Sequence, residues 1–399
     1  MSRFAVDAVG VVAFTQALVR LRTVHDPVAG TSEAPAAELV EAQMRAWGWD
    51  PVVDEVAPGR PNVVAVVEGG GGPGLTLAFE GHTDVVTEGS RDDWTVDPYG
   101  GEIVDGRLHG RGSADMKSGV AAMLFGVRAL QLAGPFPGRV KVCALVDEEG
   151  MMLGAKHLVS SGAADDVDAA VICEPEGGEI CTSAKGAVRL RVVLRGRMAH
   201  GAMPQHGRNP VAPAGRLIVA LAALQDRVQR DHPAHRHLGE VYLTPTVSLA
   251  GSTDQINVIP GTAVVCVDVR TLPGVDHARL VADVERLAVA ACDGSGVTAS
   301  VEVVDDRPAV EVDERAPLVV ALAAAHEAVT GEPAVYGGVP GATDGTILTR
   351  DTGMPTVVYG PGGKWIAHQA DEFVEVDEIV RCAEVYAETA ARYLGAGAP

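Results

Sequence analysis

The chain alternates short apolar runs with segments of helical periodicity, and this alternation is interrupted once. Up to about residue 184, apolar runs typical of strands alternate with segments whose apolar residues recur at helical spacing. From about Lys185 the order changes to strand, helix, strand, strand, helix, strand, and the first pattern resumes after about residue 308. The interruption predicts a compact unit inserted into a larger domain.

The two patterns predict two kinds of sheet. Strands alternating with helices favour an α/β layer around a largely buried sheet. The βαββαβ order is that of a ferredoxin-like unit, a small sheet with both helices on one face. A length of 399 residues agrees with two domains, because single hydrophobic cores stop growing at roughly 250 to 300 residues. We expect an α/β domain formed by residues 1–184 and 308–399, with a ferredoxin-like domain inserted at 185–307.

A glycine-rich segment, residues 69–74, separates two of the predicted strands, 62–67 and 75–79. Glycine runs bind phosphate where a helix N-terminus and a P-loop Lys follow, and neither follows here. We therefore interpret the segment as the turn of a hairpin.

Composition restricts the partners and the compartment. The formal net charge is −21 and no run of Lys or Arg offsets it, so we expect neither nucleic acid nor an anionic membrane surface as a partner. No apolar stretch approaches the roughly 18 to 20 residues that cross a bilayer. The first 24 residues are typical of an amphipathic helix and not of a signal peptide. The six cysteines lack CxxC spacing, which favours reduced core residues and a cytoplasmic protein.

Acids and histidines follow the apolar runs of the α/β domain. In open α/β sheets, side chains at the carboxyl ends of the strands converge on one crevice. Imidazole and carboxylate ligands without a thiolate suit zinc, cobalt or manganese, and buried acids are costly unless they are paired or bound to metal. The set therefore predicts a metal-dependent hydrolase site. Its members are His82, Asp84, Asp115, Glu148, Glu149, Glu174 and His368.

Ten motifs follow one another along the chain: GHTDVV, WTVDPYGG, DGRLHGRGSADMKSG, DEEG, CEP, RMAHGAMPQHGRNP, INVIPG, DVRTLPG, GATDG and AHQADEFV. In this order they resemble the M20 metallopeptidase family, and the resemblance extends from about His82 to His368. That family includes acetylornithine deacetylase, succinyl-diaminopimelate desuccinylase, aminoacylases and carboxypeptidases of the glutamate-releasing type.

The resemblance implies a centre of two divalent metal ions, with Zn²⁺ as the first choice and Co²⁺ or Mn²⁺ as alternatives. Asp115 would bridge the two ions. His82 and Glu174 would complete one site, and Glu149 and His368 the other. An enzyme with one metal remains an alternative, because both sites need not be filled in the cell.

The resemblance also assigns two acids that bind no metal. Glu148 would be the general base, taking a proton from the attacking water and passing it to the departing amine. Asp84 resembles the acid that holds the imidazole of a ligand histidine from outside, which fixes its tautomer and raises its basicity.

Further residues would recognise the substrate. By the resemblance, His200 reaches the active site of a partner subunit and stabilises the oxyanion, which implies a homodimer with the inserted domain as lid and dimerisation domain. Arg270 would bind the substrate carboxylate, with Asn257 beside it, although a structural salt bridge is an equal alternative for Arg270. Gly360 and Gly362 would present backbone N–H groups to the same end of the substrate, or form a structural turn.

Other polar residues carry weaker signals. The cluster His232, His235 and His237 follows an amphipathic helix without an acid in its motif, so we interpret it as a solvated loop. Asp344 in GATDG would either support a metal ligand or be structural.

These expectations define a cytoplasmic, homodimeric, two-metal amidohydrolase that removes an N-acyl group from a small amino-acid-like substrate with a free carboxylate. Within the chemistry, a metallo-dipeptidase or carboxypeptidase of the same family is the alternative. A noncatalytic protein that only binds or dimerises is the alternative from another class, and a missing ligand or base would be its signature.

Overall fold

The computed structural model describes residues 3–395, and its helices and strands are numbered here in chain order. The helices are α1 (Ala8–Val19), α2 (Ala34–Ala46), α3 (Ser118–Ala133), α4 (Leu153–Ser160), α5 (Val211–Asp231), α6 (His277–Ala291), α7 (Pro317–Thr330), α8 (Asp344–Thr352) and α9 (Val376–Leu394). The strands are β1 (Val52–Ala57), β2 (Arg60–Glu68), β3 (Thr76–His82), β4 (Ile103–Val104), β5 (Arg107–His109), β6 (Arg139–Leu145), β7 (Ala169–Ile172), β8 (Ile180–Ala184), β9 (Gly186–Arg195), β10 (Ala199–His200), β11 (Tyr242–Ala250), β12 (Val258–Ile259), β13 (Thr262–Thr271), β14 (Thr298–Arg307), β15 (Val310–Glu311), β16 (Tyr336–Val339), β17 (Thr356–Val358) and β18 (Phe373–Glu375).

The chain divides into two units, each with its own hydrophobic core. The first unit consists of the chain up to Thr182, residues 312–338 and the chain from Thr343 onward. The second consists of residues 183–311 and 339–342. None of the helices within residues 3–395 is long and apolar enough to cross a membrane.

The first unit is built on a large mixed sheet in the order β1-β2-β6-β3-β7-β17-β8. Its middle strands β6, β3, β7 and β17 are mutually parallel. β3 is buried at every residue, which explains its continuous apolar run, since parallel strands are covered on both faces. The parallel strands end at one edge of the sheet, so the loops that follow them lie together.

Helices α1, α3, α7 and α9 pack with the sheet into one core. The Phe79 ring on β3 and the Tyr386 ring on α9 have centroids 5.1 Å apart. α9 carries Asp377 and Glu378 in its first turn and ends at Gly395 in a left-handed conformation, two features that stabilise helix ends. The bounds of α7 and α9 coincide with the apolar periodicity of the sequence.

The interpretation of residues 69–74 as a hairpin turn is wrong. β2 and β3 are not neighbours, because β6 lies between them and pairs with both. The glycine segment instead pairs with the residues that directly precede β6. Gly69 N–H donates to Gly138 O, and Phe136 N–H donates to Gly69 O. A Cβ on Gly69 would lie 2.0 Å from Phe136 O, so the glycine permits a close backbone approach instead of a reversal.

The second unit has its main elements in the order β9, α5, β11, β13, α6, β14, with the short strands β10 and β12 pairing with each other. Its sheet runs β11-β13-β9-β14 and every pair is antiparallel. β13 alternates buried and partly exposed residues, as expected of a sheet with one covered face. Helices α5 and α6 contact each other and the sheet, and residues such as Leu221, Val265 and Val284 form the core between them.

The second unit is larger than the predicted inserted domain. Residues 308–311 belong to it because Val310 and Glu311 of β15 pair with Ala184 and Ser183. Residues 339–342 belong to it as well, and Lys185 N–H donates to Val339 O over 3.1 Å. Within the first unit, Val312 N–H donates to Thr182 O over 2.8 Å. The chain therefore leaves and re-enters the first unit at neighbouring positions.

Candidate metal centre

Five of the predicted site residues follow parallel strands of the large sheet. His82 ends β3, and Asp84 comes two residues later. Glu148 and Glu149 follow β6, and Glu174 follows β7. Two more approach from other loops: Asp115 lies in the one-turn segment before α3, and His368 lies in the loop between β17 and β18. The carboxyl edge of the sheet thus collects donors that are far apart in sequence.

The first donor group consists of His82, Asp115 and Glu174, whose ligand atoms all lie within 4.8 Å of one another. His82 Nε2 is 3.3 Å from Asp115 Oδ1 and 3.5 Å from Glu174 Oε1. On its other side, His82 Nδ1 is 3.0 Å from the backbone oxygen of Asp84. That contact favours a proton on Nδ1, which leaves the Nε2 lone pair facing the two carboxylates.

The second donor group consists of Asp115, Glu149 and His368, again within 4.8 Å of one another. His368 Nε2 is 2.9 Å from Glu149 Oε1 and 3.3 Å from Asp115 Oδ2. Asp115 presents one oxygen to each group. The two groups therefore share one carboxylate, which is the arrangement that a bridged pair of ions requires.

The electrostatics of these groups fit divalent cations. Burial, together with the charge of Asp115, raises the pKa of Glu174 to about 8 and also raises the pKa of Glu149. Burial and the charge of Glu174 raise the pKa of Glu148 well above its usual range. Burial opposes the ionisation of Asp115, but hydrogen bonds from His368 and His82 outweigh it and lower its pKa. Several carboxylates thus compete for little positive charge, a deficit that two divalent ions would remove.

Asp84 contacts the turn that carries Glu148 and Glu149. Its Oδ1 accepts the Glu148 N–H over 3.2 Å, and its Oδ2 accepts the Glu149 N–H over 3.1 Å. The carboxylate is 3.6 Å from His82 Nδ1, farther than the backbone oxygen of the same residue. Asp84 thus supports His82 mainly through its backbone and the acidic turn through its side chain.

Two residues of the quoted motifs had no predicted role, yet they hold the shared donor in place. Glu372 is fully buried, and its Oε1 accepts the N–H groups of Ala114 and Asp115 over 2.9 and 3.0 Å. Its Oε2 accepts from Arg111 NH1 over 2.5 Å, and Arg111 NH2 donates to His368 O over 3.2 Å. Both lie within the motifs GRGSAD and AHQADEFV, but no spacing rule marks them.

Gly360 and Gly362 lie beside the same edge. A Cβ on Gly360 would lie 2.4 Å from Cys173 O, and a Cβ on Gly362 would lie 2.9 Å from the Ala114 side chain. The Gly362 N–H donates to Glu378 Oε2 over 3.2 Å. The structure thus explains both glycines by close packing.

A third acidic group, formed by Glu176, Glu179 and Cys181, also meets the spacing of a metal site. Lys364 Nζ lies 2.8 Å from Glu176 Oε2 and 3.0 Å from Glu179 Oε2. The ammonium group forms an ion pair with both carboxylates, so we interpret this group as an ion-pair cluster. It fastens the loop after β17 to the segment after β7.

Asp344 begins α8 and is fully buried. It lies beside Glu80, and burial together with the charge of Asp344 raises the pKa of Glu80 well above its usual range. Glu80 precedes His82 by two residues on β3, and the charges of Glu174 and His82 also act on its carboxyl group.

The remaining predicted residues belong to the second unit. His200 lies on β10 and is exposed, and its Nδ1 accepts the Ala202 N–H over 3.0 Å. Asn257 is exposed, and its backbone oxygen accepts the Gly201 N–H. Arg270 Nε donates to Asp268 Oδ2 over 2.8 Å on the same strand. This pairing leaves its NH1 and NH2 groups for other partners.

The three histidines after α5 are not a metal group. His235 Nε2 is 3.1 Å from Glu311 Oε1, and its Nδ1 accepts the N–H groups of His237 and Leu238. His235 therefore holds its own loop, and it has an acid partner that lies outside the motif considered from the sequence.

Comparisons with known proteins give the family of the chain. Residues 78–392 match the family model of peptidase family M20/M25/M40. The chain is 33% identical to a succinyl-diaminopimelate desuccinylase of Phenylobacterium zucineum over 79% of this chain and 83% of that protein. It is 27% identical to a "Probable succinyl-diaminopimelate desuccinylase" of Staphylococcus epidermidis over 94% and 96% of the two chains. The fold resembles that of aminopeptidase PepT from Bacillus cereus, with a TM-score of 0.78, 20% identity, and coverage of 97% and 99%.

The chain belongs to peptidase family M20/M25/M40, which confirms the resemblance of its motifs. It is a metal-dependent hydrolase that acts on amide bonds.

Proposed function

We propose that this protein is a two-metal amidohydrolase that removes an N-acyl group from a small amino-acid-like substrate with a free carboxylate. The observation that carries the proposal is the pair of donor groups that share Asp115, with Glu148 on the adjoining turn. His82 and Glu174 would hold one ion, and Glu149 and His368 the other. Zinc suits this set of imidazoles and carboxylates, and Co²⁺ or Mn²⁺ would serve as substitutes.

The metal ions would supply Lewis acidity, lowering the pKa of a water and polarising the scissile carbonyl. The chain's own residues supply the proton transfers. Glu148 lies next to Glu149 in the chain, and the charges of Glu174 and His82 act on its buried carboxyl group, so this group lies near the first donor group. It would take the proton of the attacking water and deliver it to the amine that leaves.

The second unit would supply substrate recognition. Arg270 would bind the substrate carboxylate through its NH1 and NH2 groups, since only its Nε is engaged by Asp268. Asn257 would add a hydrogen bond. The backbone N–H groups near Gly360 and Gly362 in the first unit would serve the same end of the substrate, although the Gly362 N–H must first leave Glu378.

We further propose a homodimer in which His200 of one subunit stabilises the oxyanion in the site of the other, with the second unit acting as lid and dimerisation domain. Support comes from apolar side chains on the edge strand β11 of its sheet, where Leu249 is 63% exposed. Ile256 is 92% exposed near Asn257. Exposed apolar edge strands are unusual in monomeric proteins, because such strands tend to pair with strands of other molecules.

Removal of an acetyl or succinyl group from a diamino acid is our first choice of reaction, since two similar chains carry the name of a desuccinylase. A dipeptidase or carboxypeptidase reaction uses the same metal and base chemistry and is the alternative. A noncatalytic role is disfavoured because both donor groups and Glu148 are present. We place the enzyme in the cytoplasm, in agreement with its free cysteines, of which all but Cys266 are buried.

The test is a screen of metal-reconstituted protein over N-acetyl, N-succinyl and N-formyl amino acids and dipeptides. Glu148→Gln should lower kcat by about 10² to 10⁴-fold, because it removes the base without changing the shape of the site. Glu388→Gln is the matched control, since Glu388 is also a buried acid but pairs with Arg392 on α9 and with Arg3 before α1.

Two results would refute the proposal: a protein that takes up no divalent metal, or a Glu148→Gln variant with wild-type turnover. Titrating metal into the metal-free protein separates the two stoichiometries. A second equivalent that adds no activity would support the one-metal enzyme.

A further inference from the structure

The turn that carries Glu148 and Glu149 starts with an unfavourable backbone conformation. Asp147 has φ of 66°, in the left-handed region that residues with a Cβ rarely adopt. A conformation of this kind persists where surrounding contacts fix it, and such residues cluster at functional sites. The contacts of Asp147 therefore indicate what fixes the turn.

Asp147 organises the chain that follows it. Its Oδ2 accepts the N–H groups of Met151 and Leu153 over 2.9 and 3.4 Å, and its backbone oxygen accepts the Met152 N–H over 2.7 Å. A Cβ on Gly150 would lie 2.5 Å from Asp147 Oδ1, so the turn wraps closely around this carboxylate. Glu148 and Glu149 project from a loop whose centre is the Asp147 side chain.

Arg60, on β2, holds that carboxylate from behind. Its NH1 is 2.7 Å from Asp147 Oδ1. Its Nε donates to both oxygens of Glu33 over 3.0 Å, and its NH2 also contacts Glu33. The side chains of Arg60, Glu33 and Asp147 are 6%, 0% and 9% exposed. A buried guanidinium thus joins the start of α2 to the turn, and its planar fork spans two carboxylates as a Lys could not.

Asn62 holds the two ends of the same loop. It lies two residues after Arg60 on β2, so both side chains point to one face of the strand. Its Oδ1 accepts the Val146 N–H over 3.2 Å, and its Nδ2 donates to Gly154 O over 2.9 Å. Together, Arg60 and Asn62 bind the residue before the turn, the first residue of the turn and a residue in the first turn of α4.

We propose that Arg60 and Asn62 are positioning residues that set the placement of Glu148 and Glu149 at the metal centre. The inference rests on the proposed function, which makes Glu148 the base and Glu149 a metal ligand. On one side the turn is held through its amides by Asp84, and on the other by Arg60 and Asn62. Release of the second side lets both carboxylates shift together, and a displacement of about 1 Å can cost about 10²-fold in rate.

A purely structural ion pair would behave differently, and the chain offers a matched control. Lys141 lies on the neighbouring strand β6, its side chain is 6% exposed, and its Nζ is 2.5 Å from Asp166 Oδ1. Its partners, Asp166 and the backbone of Ala163, lie between α4 and β7 and not in the acidic turn. Lys141→Met should lower stability without altering the metal centre.

The experiment compares Arg60→Met, Arg60→Lys, Asn62→Ala and Lys141→Met in the full-length protein. Three quantities are measured: amide hydrogen exchange of residues 147–153, the dissociation constants of both zinc equivalents in a chelator competition, and kcat and KM. We expect Arg60→Met to lose protection in the turn, to weaken the second zinc equivalent by about 10 to 100-fold, and to lower kcat by about 10²-fold with little change in KM. Arg60→Lys should be intermediate, and Asn62→Ala should show the same signature at smaller size.

Asp147→Asn is a second variant that tests the same contact if Arg60→Met does not fold. It removes the charge that Arg60 binds and retains an acceptor for the N–H groups of the turn, so it should weaken zinc in the same way. The proposal is overturned if folded Arg60→Met or Asp147→Asn keeps turn protection and both zinc constants, or if Lys141→Met changes them equally. Hydrogen exchange needs neither metal nor substrate. An inactive wild type with a loosened turn in Arg60→Met would therefore count against the proposed function and not against the role of Arg60.

Discussion

Asp115 contributes an oxygen to each donor group, and its backbone is fixed by an acid outside both groups. Glu372 accepts the N–H groups of Ala114 and Asp115 while it binds Arg111, which in turn donates to His368 O. Burial, with the charge of Asp115, raises the pKa of Glu372 to about 7. One buried pair therefore supports the shared carboxylate and the histidine of the second group.

For the proposed two-metal centre, we predict that Glu372→Gln weakens the binding of both metal equivalents by about 10 to 100-fold, because outer partners of metal ligands typically contribute that much. A glutamine has one carbonyl oxygen, so it cannot accept from Arg111 and from both amides at once. Competition with a chromogenic chelator measures the two constants. Wild-type constants in Glu372→Gln, with Glu388→Gln as the reference, would contradict the supporting role.

Among single residues, the sequence indicated the candidate metal ligands better than the residues that hold those ligands in place. His82, Asp115, Glu149, Glu174 and His368 were singled out because each lies in a motif after an apolar run, and the structure brings them together in the two donor groups. Glu372 and Arg111 lay inside such motifs without a role, since their function is visible only as contacts with backbone atoms. Arg60 gave no signal, because a lone Arg at a strand start usually points to solvent. Its partners Glu33 and Asp147 are far from it in sequence.

For helices and strands, the sequence predicted which segments are periodic and buried, but it did not predict which strands are neighbours in the sheet. Apolar runs at 139–146 and 169–173 predict strands, and apolar periodicity at 317–330 and 376–394 predicts helices; these segments are β6, β7, α7 and α9. The helix α8, DGTILTRDT, was missed because only its middle residues are apolar. The glycine segment was assigned to a hairpin because adjacent strands in sequence usually pair, and the insertion of β6 between β2 and β3 is a long-range choice.

Helix α7 carries a buried histidine whose protonation opposes folding. Burial lowers the pKa of His326, and its Nδ1 is 2.9 Å from the Tyr359 hydroxyl. The unfolded chain has a higher value, about 6.5, so it binds more protons than the folded chain as the pH falls through that value. His326 therefore contributes stability at neutral pH that is lost on acidification.

We predict that the wild type loses more stability than His326→Asn between about pH 8 and pH 5.5. Asparagine keeps a polar partner for Tyr359 but does not titrate. Chemical denaturation of metal-free protein at the two pH values measures the difference. Removal of the metal excludes pH-dependent metal release, and the titration of the acids and histidines of the donor groups is common to both proteins. Equal pH dependence of the two proteins would show that His326 does not contribute.

For the whole molecule, the proposed exchange of His200 between subunits makes a prediction about mixed dimers. His200→Ala and Glu148→Gln should each be nearly inactive alone. In a mixed dimer one site keeps Glu148 and receives His200 from the other subunit, while the second site lacks both. Random exchange makes half the dimers mixed with one of two sites intact, so activity should return to roughly a quarter of the wild type.

The measurement is turnover after the two variants are dissociated and reassociated together, with each variant treated alone as the reference. No recovery, with exchange verified by native mass spectrometry, would place His200 outside the partner's site or remove it from catalysis. Recovery of turnover in the absence of mixed dimers would show that His200 does not act in the site of the partner subunit.

The hydrogen bond from Val312 N–H to Thr182 O has an evolutionary consequence. Residues 183–311, the larger part of the second unit, form one connection between Thr182 and Val312, and a turn of two or three residues would join the same two positions. A recombination event at this position can therefore replace the module that would read the substrate while the metal-binding edge keeps its register. Descendants of such a scaffold can change what they cleave, and how they assemble, without rebuilding how they cleave it.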